Sequence, residues 1–132
     1  MKFTIALVDL KFLMKGAGVS RPTTRDTITL SACAARVFVH SKNGIAGIEA
    51  MVFRDGAVTL PAKTFSALLK TYKGTKFLNF EAARPQLQIN NLVMPVLGYD
   101  PAPSPPADFQ VFSAKAAPTS HQNLYTQLRG LR

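Results

Sequence analysis

The sequence predicts an α+β domain in which two amphipathic helices pack on small antiparallel sheets. Three observations carry this prediction. Short runs rich in β-branched residues, set off by turn signals, fill most of the first hundred residues. Two segments, one near the start and one near the middle, instead repeat apolar residues at helical spacing. Each helical segment directly follows a strand, so the chain reads as two similar halves, each a strand, a helix and about three further strands.

In order, KFTI at residues 2–5 reads as the first strand. From Ala6 to Ala17, the residues Leu7, Leu10, Leu13, Met14 and Ala17 fall on one helix face, and Gly16 and Gly18 can close that helix. Residues 19–26 are a loop, with Pro22 arguing against helix. Residues 27–40 hold two strands. SKNG at 41–44 is a hairpin turn, because Asn43-Gly44 supplies left-handed conformations. Residues 45–53 pair back as one strand, and RDG at 54–56 is a second turn. A helix starting at Pro61 carries an apolar stripe of Phe65, Leu68, Leu69 and Tyr72 and closes at Gly74. Strands over 76–80, 86–89 and 92–97 follow, with Asn90-Asn91 turning the last pair.

Residues 2–15 line up with residues 57–70. Thr4 falls on Thr59, Ile5 on Leu60, Leu10 on Phe65, Leu13 on Leu68, Met14 on Leu69 and Lys15 on Lys70. AAR at 34–36 also matches AAR at 82–84, with a different spacing. The pattern predicts one domain over 1–112 with an internal repeat of approximately 1–55 and 56–112. A chain of 132 residues suits one domain with a real core. After Gly98, the prolines at 101, 103, 105 and 106 predict an extended segment. Residues 113–132 read as a C-terminal tail, flexible or a short helix in which Leu124, Tyr125 and Leu128 share a face.

Sixteen Lys and Arg against seven Asp and Glu leave a net charge of +9. That excess points to a polyanionic partner, nucleic acid first and an anionic membrane second, with plain solubility as the other explanation. Cys33 is the sole cysteine, which excludes an internal disulfide and a thiolate cluster. His40 and His121 lie far apart, so neither a zinc site nor a cofactor is expected. Asp9 and Lys11 interrupt the first apolar run too early for a signal peptide, and no run approaches a membrane span of about 20 residues. The expected setting is cytoplasmic. The acids show no paired acid–base spacing and no Gly-rich phosphate loop is present, so an enzyme is not expected. Cys33 sits in an apolar strand and reads as core rather than nucleophile.

The helix flanks carry the functional signal. Lys63, Lys70 and Lys73 share one flank of the second helix by helical geometry, and Lys11 and Lys15 take the matching positions on the first. Asp9, the one acid on either helix, projects away from them. Solvated faces usually mix signs in supporting pairs. Here like charges crowd together, which costs stability unless an anion neutralises them. Lys76, Arg21 and Arg25 lie where they could extend the surface. The expectation is phosphate contact with double-stranded DNA that is salt-sensitive and sequence-independent; a merely solvated face is the alternative.

Several stretches resemble the first domain of the bacterial DNA polymerase III β subunit, the sliding clamp. MKFT at 1–4 resembles that family's N-terminal strand, and RPT at 21–23 its Arg-Pro-Thr after the first helix. GAVTLPAK at 56–63 is similar to its Gly-Ala-Val-Thr-Val-Pro-Ala-Arg entry to the second helix, and PADF at 106–109 to its domain-closing segment. The matches span nearly all of residues 1–109. The resemblance implies a DNA-clamp-like domain, a duplicated strand-helix-strands unit whose helices line a ring around duplex DNA. It also implies a non-catalytic processivity factor in DNA replication. By the same resemblance Arg21 matches an arginine near DNA, and Lys63 matches the basic residue opening the second helix.

Family clamps close a ring of six such domains from two three-domain chains, whereas this sequence holds one. A homo-oligomer, with a hexameric ring as its closed form, is therefore expected, served by DNA polymerase or clamp-loader proteins. The alternative is a clamp-like adaptor or protein-interaction module that does not encircle DNA, with QNLYTQL at 122–128 similar to peptides that clamps bind. The family's peptide pocket belongs to its later domains and is not carried over.

Overall fold

In the computed structural model, which describes residues 1–83, 85–106 and the backbone of 110–112, strands and helices alternate as two halves. The first contains β1 (Lys2–Ala6), α1 (Leu7–Gly16), β2 (Thr27–Cys33), β3 (Arg36–Ser41), β4 (Gly44–Glu49) and β5 (Met51–Arg54). The second contains β6 (Gly56–Pro61), α2 (Ala62–Leu69), β7 (Phe77–Ala83), β8 (Gln86–Ile89), β9 (Leu92–Pro95) and β10 (Gly98–Asp100), and β11 (Gln110–Phe112) follows. The strands form two sheets, in the orders β5-β1-β7-β8-β9 and β10-β6-β2-β3-β4-β11. Every pairing is antiparallel except that of β11 with β4, which is parallel.

Replacing β1–β5 by β6–β10, and the reverse, converts the first sheet order into the first five strands of the second. The halves interlock through this relation, because each opening strand joins the other half's sheet. Phe3 of β1 pairs with Phe80 of β7, and Val58 of β6 pairs with Leu30 of β2. The helix starts follow the same rule. Neither Ala6 nor Pro61 gives a side-chain cap. Instead the Leu7 amide donates to the Lys76 carbonyl at 3.0 Å, and the Ala62 amide to the Asp26 carbonyl at 2.9 Å. Each acceptor immediately precedes the first strand that follows the other helix, so two otherwise orphaned amides are satisfied across the halves.

Period-two alternation sends Phe3, Ile5, Leu78, Phe80, Leu87 and Ile89 inward, where they meet Leu10, Leu13 and Met14 of α1 and Phe65 and Leu69 of α2 in one core. Phe3 and Phe80 stack with centroids 4.7 Å apart, and Phe65 tilts onto Phe80 at 6.3 Å. Helix α1 ends in a Schellman arrangement. Gly18 (φ +80°) donates to the Lys15 carbonyl and Val19 to that of Met14, as a left-handed residue after the C-cap permits.

Four local expectations are corrected. Residues 45–53 are two strands, β4 and β5, split at Ala50 and placed in different sheets. Helix α2 stops at Leu69, because the Thr71 amide and hydroxyl both bond the Leu68 carbonyl and the chain then turns. The turn at 42–43 forms without left-handed residues, held by the Asn43 amide on Ser41 Oγ and by Asn43 Nδ2 on the Gly18 carbonyl. The AAR match is out of register: Ala34 and Ala35 are the β2–β3 turn, whereas Ala82 and Ala83 end β7. The expectations for residues 113–132 lie outside the described residues.

Candidate nucleic-acid interface

Each helix turns its apolar side to the core and its cations to solvent. Leu7, Leu10, Leu13 and Met14 of α1 are buried, while Lys11 and Lys15 are exposed. Ala62, Phe65 and Leu69 of α2 are buried and Lys63 is exposed. Asp9 is buried at 4% exposure, so it is not part of the solvent face of α1. Val8 and Phe12, 51% and 36% exposed, flank the α1 lysines and make that face mixed cationic and apolar. Sequence reasoning missed these two, since a helical wheel sorted by charge passes over them.

Because α2 is short, Lys63 is its one lysine. Lys70 is the residue after its last turn, and Lys73 and Lys76 lie on the connector to β7. The helical flank expected for Lys63, Lys70 and Lys73 therefore does not extend to Lys73: Lys70 keeps right-handed helical backbone angles at the C-cap (φ −70°, ψ −17°), whereas Lys73 lies beyond the helix. The cations are instead distributed over the helices and the two connectors between helix and strand. Arg21 and Arg25 lie on the connector from α1, which ends at the start of α2; Lys70, Lys73 and Lys76 lie on the connector from α2, which ends at the start of α1. All eight side chains belong to exposed residues. Among the described residues none of the eight forms an ion pair; the pairs are Arg36–Glu49, Lys42–Asp26 and Arg54–Glu81.

A groove of ≈ 170 Å³ runs beside the first connector, lined by Gly18, Ser20, Arg21, Thr23 and Asn43 and closed by Ala62. Asp26 organises it. Its carboxylate accepts the Thr23 amide at 2.8 Å and pairs with Lys42 at 2.9 Å. The Thr23 backbone bond first, and then Lys42, hold this carboxyl below its ordinary range. Asp26 thus fixes the loop that presents Arg21 and Arg25 while cancelling Lys42 rather than either arginine. The isolation of one acid in a cationic loop was the available sequence signal. Among the described residues no group of three or more His, Cys, Asp or Glu could hold a metal ion, and no helix is long and apolar enough to cross a membrane.

The described residues define an α+β domain with the fold of one sliding-clamp domain. Among solved structures, the chain is similar to the DNA polymerase sliding clamp of Caulobacter crescentus, with 21% identity over 88% of this chain and 34% of that one and a TM-score of 0.58. It is similar to the Helicobacter pylori β clamp in complex with 5-chloroisatin, with 18% identity, 83% and 33% coverage and a TM-score of 0.61. For the β subunit from DNA polymerase of Streptococcus pyogenes the values are 12%, 73%, 30% and 0.59. The Helicobacter pylori clamp is also known bound to a DNA ligase peptide. The chain spans 30–34% of the length of these clamps, and at these identities the likeness is one of fold. No family model matches the sequence, and no curated protein matches it.

Proposed function

We propose that this chain is a non-catalytic, cytoplasmic DNA-binding module that contacts duplex phosphates without reading bases and self-associates, with a ring around DNA as its closed form. In this reading Lys11, Lys15 and Lys63 contact the backbone from the helices, and Arg21, Arg25, Lys70, Lys73 and Lys76 from the connectors. One observation carries it: eight exposed cations on the helices and their connectors, none in an ion pair among the described residues, on a clamp-like fold. Unpaired cations of one sign are held apart from neutralising acids here, and counterion release on meeting phosphate is the physical return. A ring further makes sliding compatible with weak individual contacts and would act as a processivity factor beside a polymerase and loader.

The test is retention on circular against linear duplex. A closed ring is expected to stay on the circle and to run off free ends. Equal loss from both would leave a basic patch and remove the ring. Salt-independent binding would remove the phosphate contacts as well.

A further inference from the structure

The five-stranded sheet has a second face. Phe3, Ile5, Leu78 and Phe80 point into the core, so alternation turns Lys2, Thr4, Phe77, Asn79 and Glu81 to the side away from both helices. This outer face mixes aromatic and polar groups. Met51, Phe53 and Phe77 are 63%, 60% and 47% exposed. Met51 stands beside Thr4 in the register, and the bulge in β5 leaves Phe53 as the extra residue between the pairs Lys2–Arg54 and Phe3–Val52. Phe77 is opposite Ala6, two strand intervals from β5. By these registers the two rings are about 10 Å apart across the sheet and about 12 Å apart along it.

Beside Phe53 is a depression of ≈ 250 Å³, lined by Lys2, Thr4, Asn79, Gln88 and Asn90. Its floor consists of side-chain amides whose orientation is fixed by their partners. Asn90 Oδ1 accepts the Asn79 backbone amide at 2.9 Å, and Gln88 Nε2 donates to the Asn90 carbonyl at 3.1 Å. Thr4 Oγ1 donates to Asn79 Oδ1 at 2.6 Å. Each bond uses one end of an amide. Among the described residues Asn79 Nδ2, Asn90 Nδ2 and Gln88 Oε1 have no partner, so the depression presents two donor groups and an acceptor. Arg54 and Glu81 pair at 3.7 Å and cancel, whereas Lys2 forms no ion pair among the described residues.

These groups decide between occupants. A protein surface that covered the rings would also bury the amides between them, and each one left unsatisfied would oppose the contact. A single strand of nucleic acid answers every group: base faces stack on the rings, base edges meet the amides, and phosphate meets Lys2. A duplex offers less, because its bases are already paired and stacked. The net charge of +9 draws a polyanion to the molecule as a whole. We propose that the outer face of the five-stranded sheet binds single-stranded nucleic acid, with Phe53 and Phe77 as stacking platforms. This site is on the opposite side of the sheet from α1 and α2, and it depends neither on the duplex contacts proposed above nor on self-association.

The test is fluorescence anisotropy on the full chain with a labelled, mixed-sequence DNA strand of about 12 nucleotides, within the range that one such module covers. Wild type is compared with Phe53→Ala, Phe77→Ala and Phe53→Tyr, and thermal melts check that all three fold. Each alanine variant is expected to bind the strand about five- to 150-fold more weakly, the loss of one stacked base, while Phe53→Tyr binds as wild type does. An abasic strand of the same length keeps the phosphates and is expected to bind wild type weakly and the variants no differently. Duplex is expected to bind wild type and Phe53→Ala alike. Strand affinity unchanged in both alanine variants overturns the proposal and leaves the face to a protein partner. Equal affinity for abasic and ordinary strands overturns it as well, as does an equal loss toward strand and duplex in Phe53→Ala. A wild type that binds the strand through Phe53 and ignores duplex supports this site while removing the duplex contacts.

Discussion

The Leu7 amide and the Lys76 carbonyl, 3.0 Å apart, start the helix of one half on the backbone of the other. The Ala62–Asp26 bond repeats this in reverse, and each opening strand is paired across the halves. Cutting between Asp55 and Gly56 therefore leaves two pieces, neither with a complete sheet. Separate fragments 1–55 and 56–132 are expected to show no cooperative melt, and their mixture to regain one by circular dichroism. An independent melt of either fragment would show that the exchanged strands are dispensable.

Phe80 joins the two aromatic contacts at the centre of the core, stacked on Phe3 and tilted to Phe65. Phe80→Ala is expected to cost about 3–5 kcal/mol in denaturant unfolding, from reduced burial and the cavity left behind. A loss below about 1 kcal/mol would mean that the sheet and helices collapse onto the vacancy.

Gly56 opens β6 directly against Met1, where an added Cβ would lie 2.5 Å from Met1 Cβ and 2.8 Å from its Cα. One of these neighbours is backbone, so the clash is not relieved by a rotamer change. Gly56→Ala is expected to lower stability by about 1–3 kcal/mol, read as a fall in denaturation midpoint at unchanged slope.

The lowered pKa of Asp26 fixes a sign. Its bonds to Thr23 and Lys42 favour the carboxylate, so their contribution is complete above the ordinary value of 3.8 and fades as pH falls through the depressed folded value. Asp26→Asn is expected to melt below wild type near pH 7, and the gap to narrow as both are acidified below that ordinary value. A constant gap across the acid range would place the stabilisation elsewhere.

Charge reversal separates the helices from the connectors. Lys11→Glu with Lys15→Glu, and Lys70→Glu with Lys73→Glu, are each expected to weaken duplex binding. Each is also expected to flatten the plot of log affinity against log salt by about 0.9 for every phosphate that is no longer neutralised. If only the connector pair acts, the exposed Val8 and Phe12 beside Lys11 mark α1 as a face for something other than phosphate.

Much of the fold is legible in the sequence because its signals are local. Helical spacing locates α1, the two-residue Asn90-Asn91 turn locates β8 and β9, and the likeness of residues 2–15 to 57–70 places the two helices in matching contexts. What is not legible is long-range. Nothing near Ala50 announces that β4 and β5 belong to different sheets, since both are apolar runs and the break has no proline or turn pair. The end of α2 is hidden because Tyr72 fits the apolar stripe, yet its hydroxyl reaches the Ile89 carbonyl at 3.1 Å from beyond the helix. For the site, residue type identifies the exposed cations, but helical angles do not apply to Lys73, which is not helical. The Asp26–Lys42 pairing depends on a turn that only the folded sheet brings near.

The β2–β3 turn is built from two left-handed alanines, Ala34 at φ 53° and Ala35 at φ 58°. Alanine disfavours that geometry by roughly 1–2 kcal/mol per residue, so residue type opposes a turn whose backbone twist suits the hairpin. The strands on either side must impose it: β2 is held by β6 from Thr27 to Ala32, and β3 by β4 from Arg36 to Ser41. Residue type therefore does not favour closure of this connection, and the paired strands hold it. Replacing the pair with Asn-Gly, which tolerates left-handed backbone, is expected to raise the denaturation midpoint; an unchanged midpoint would show that the flanking strands already absorb the cost.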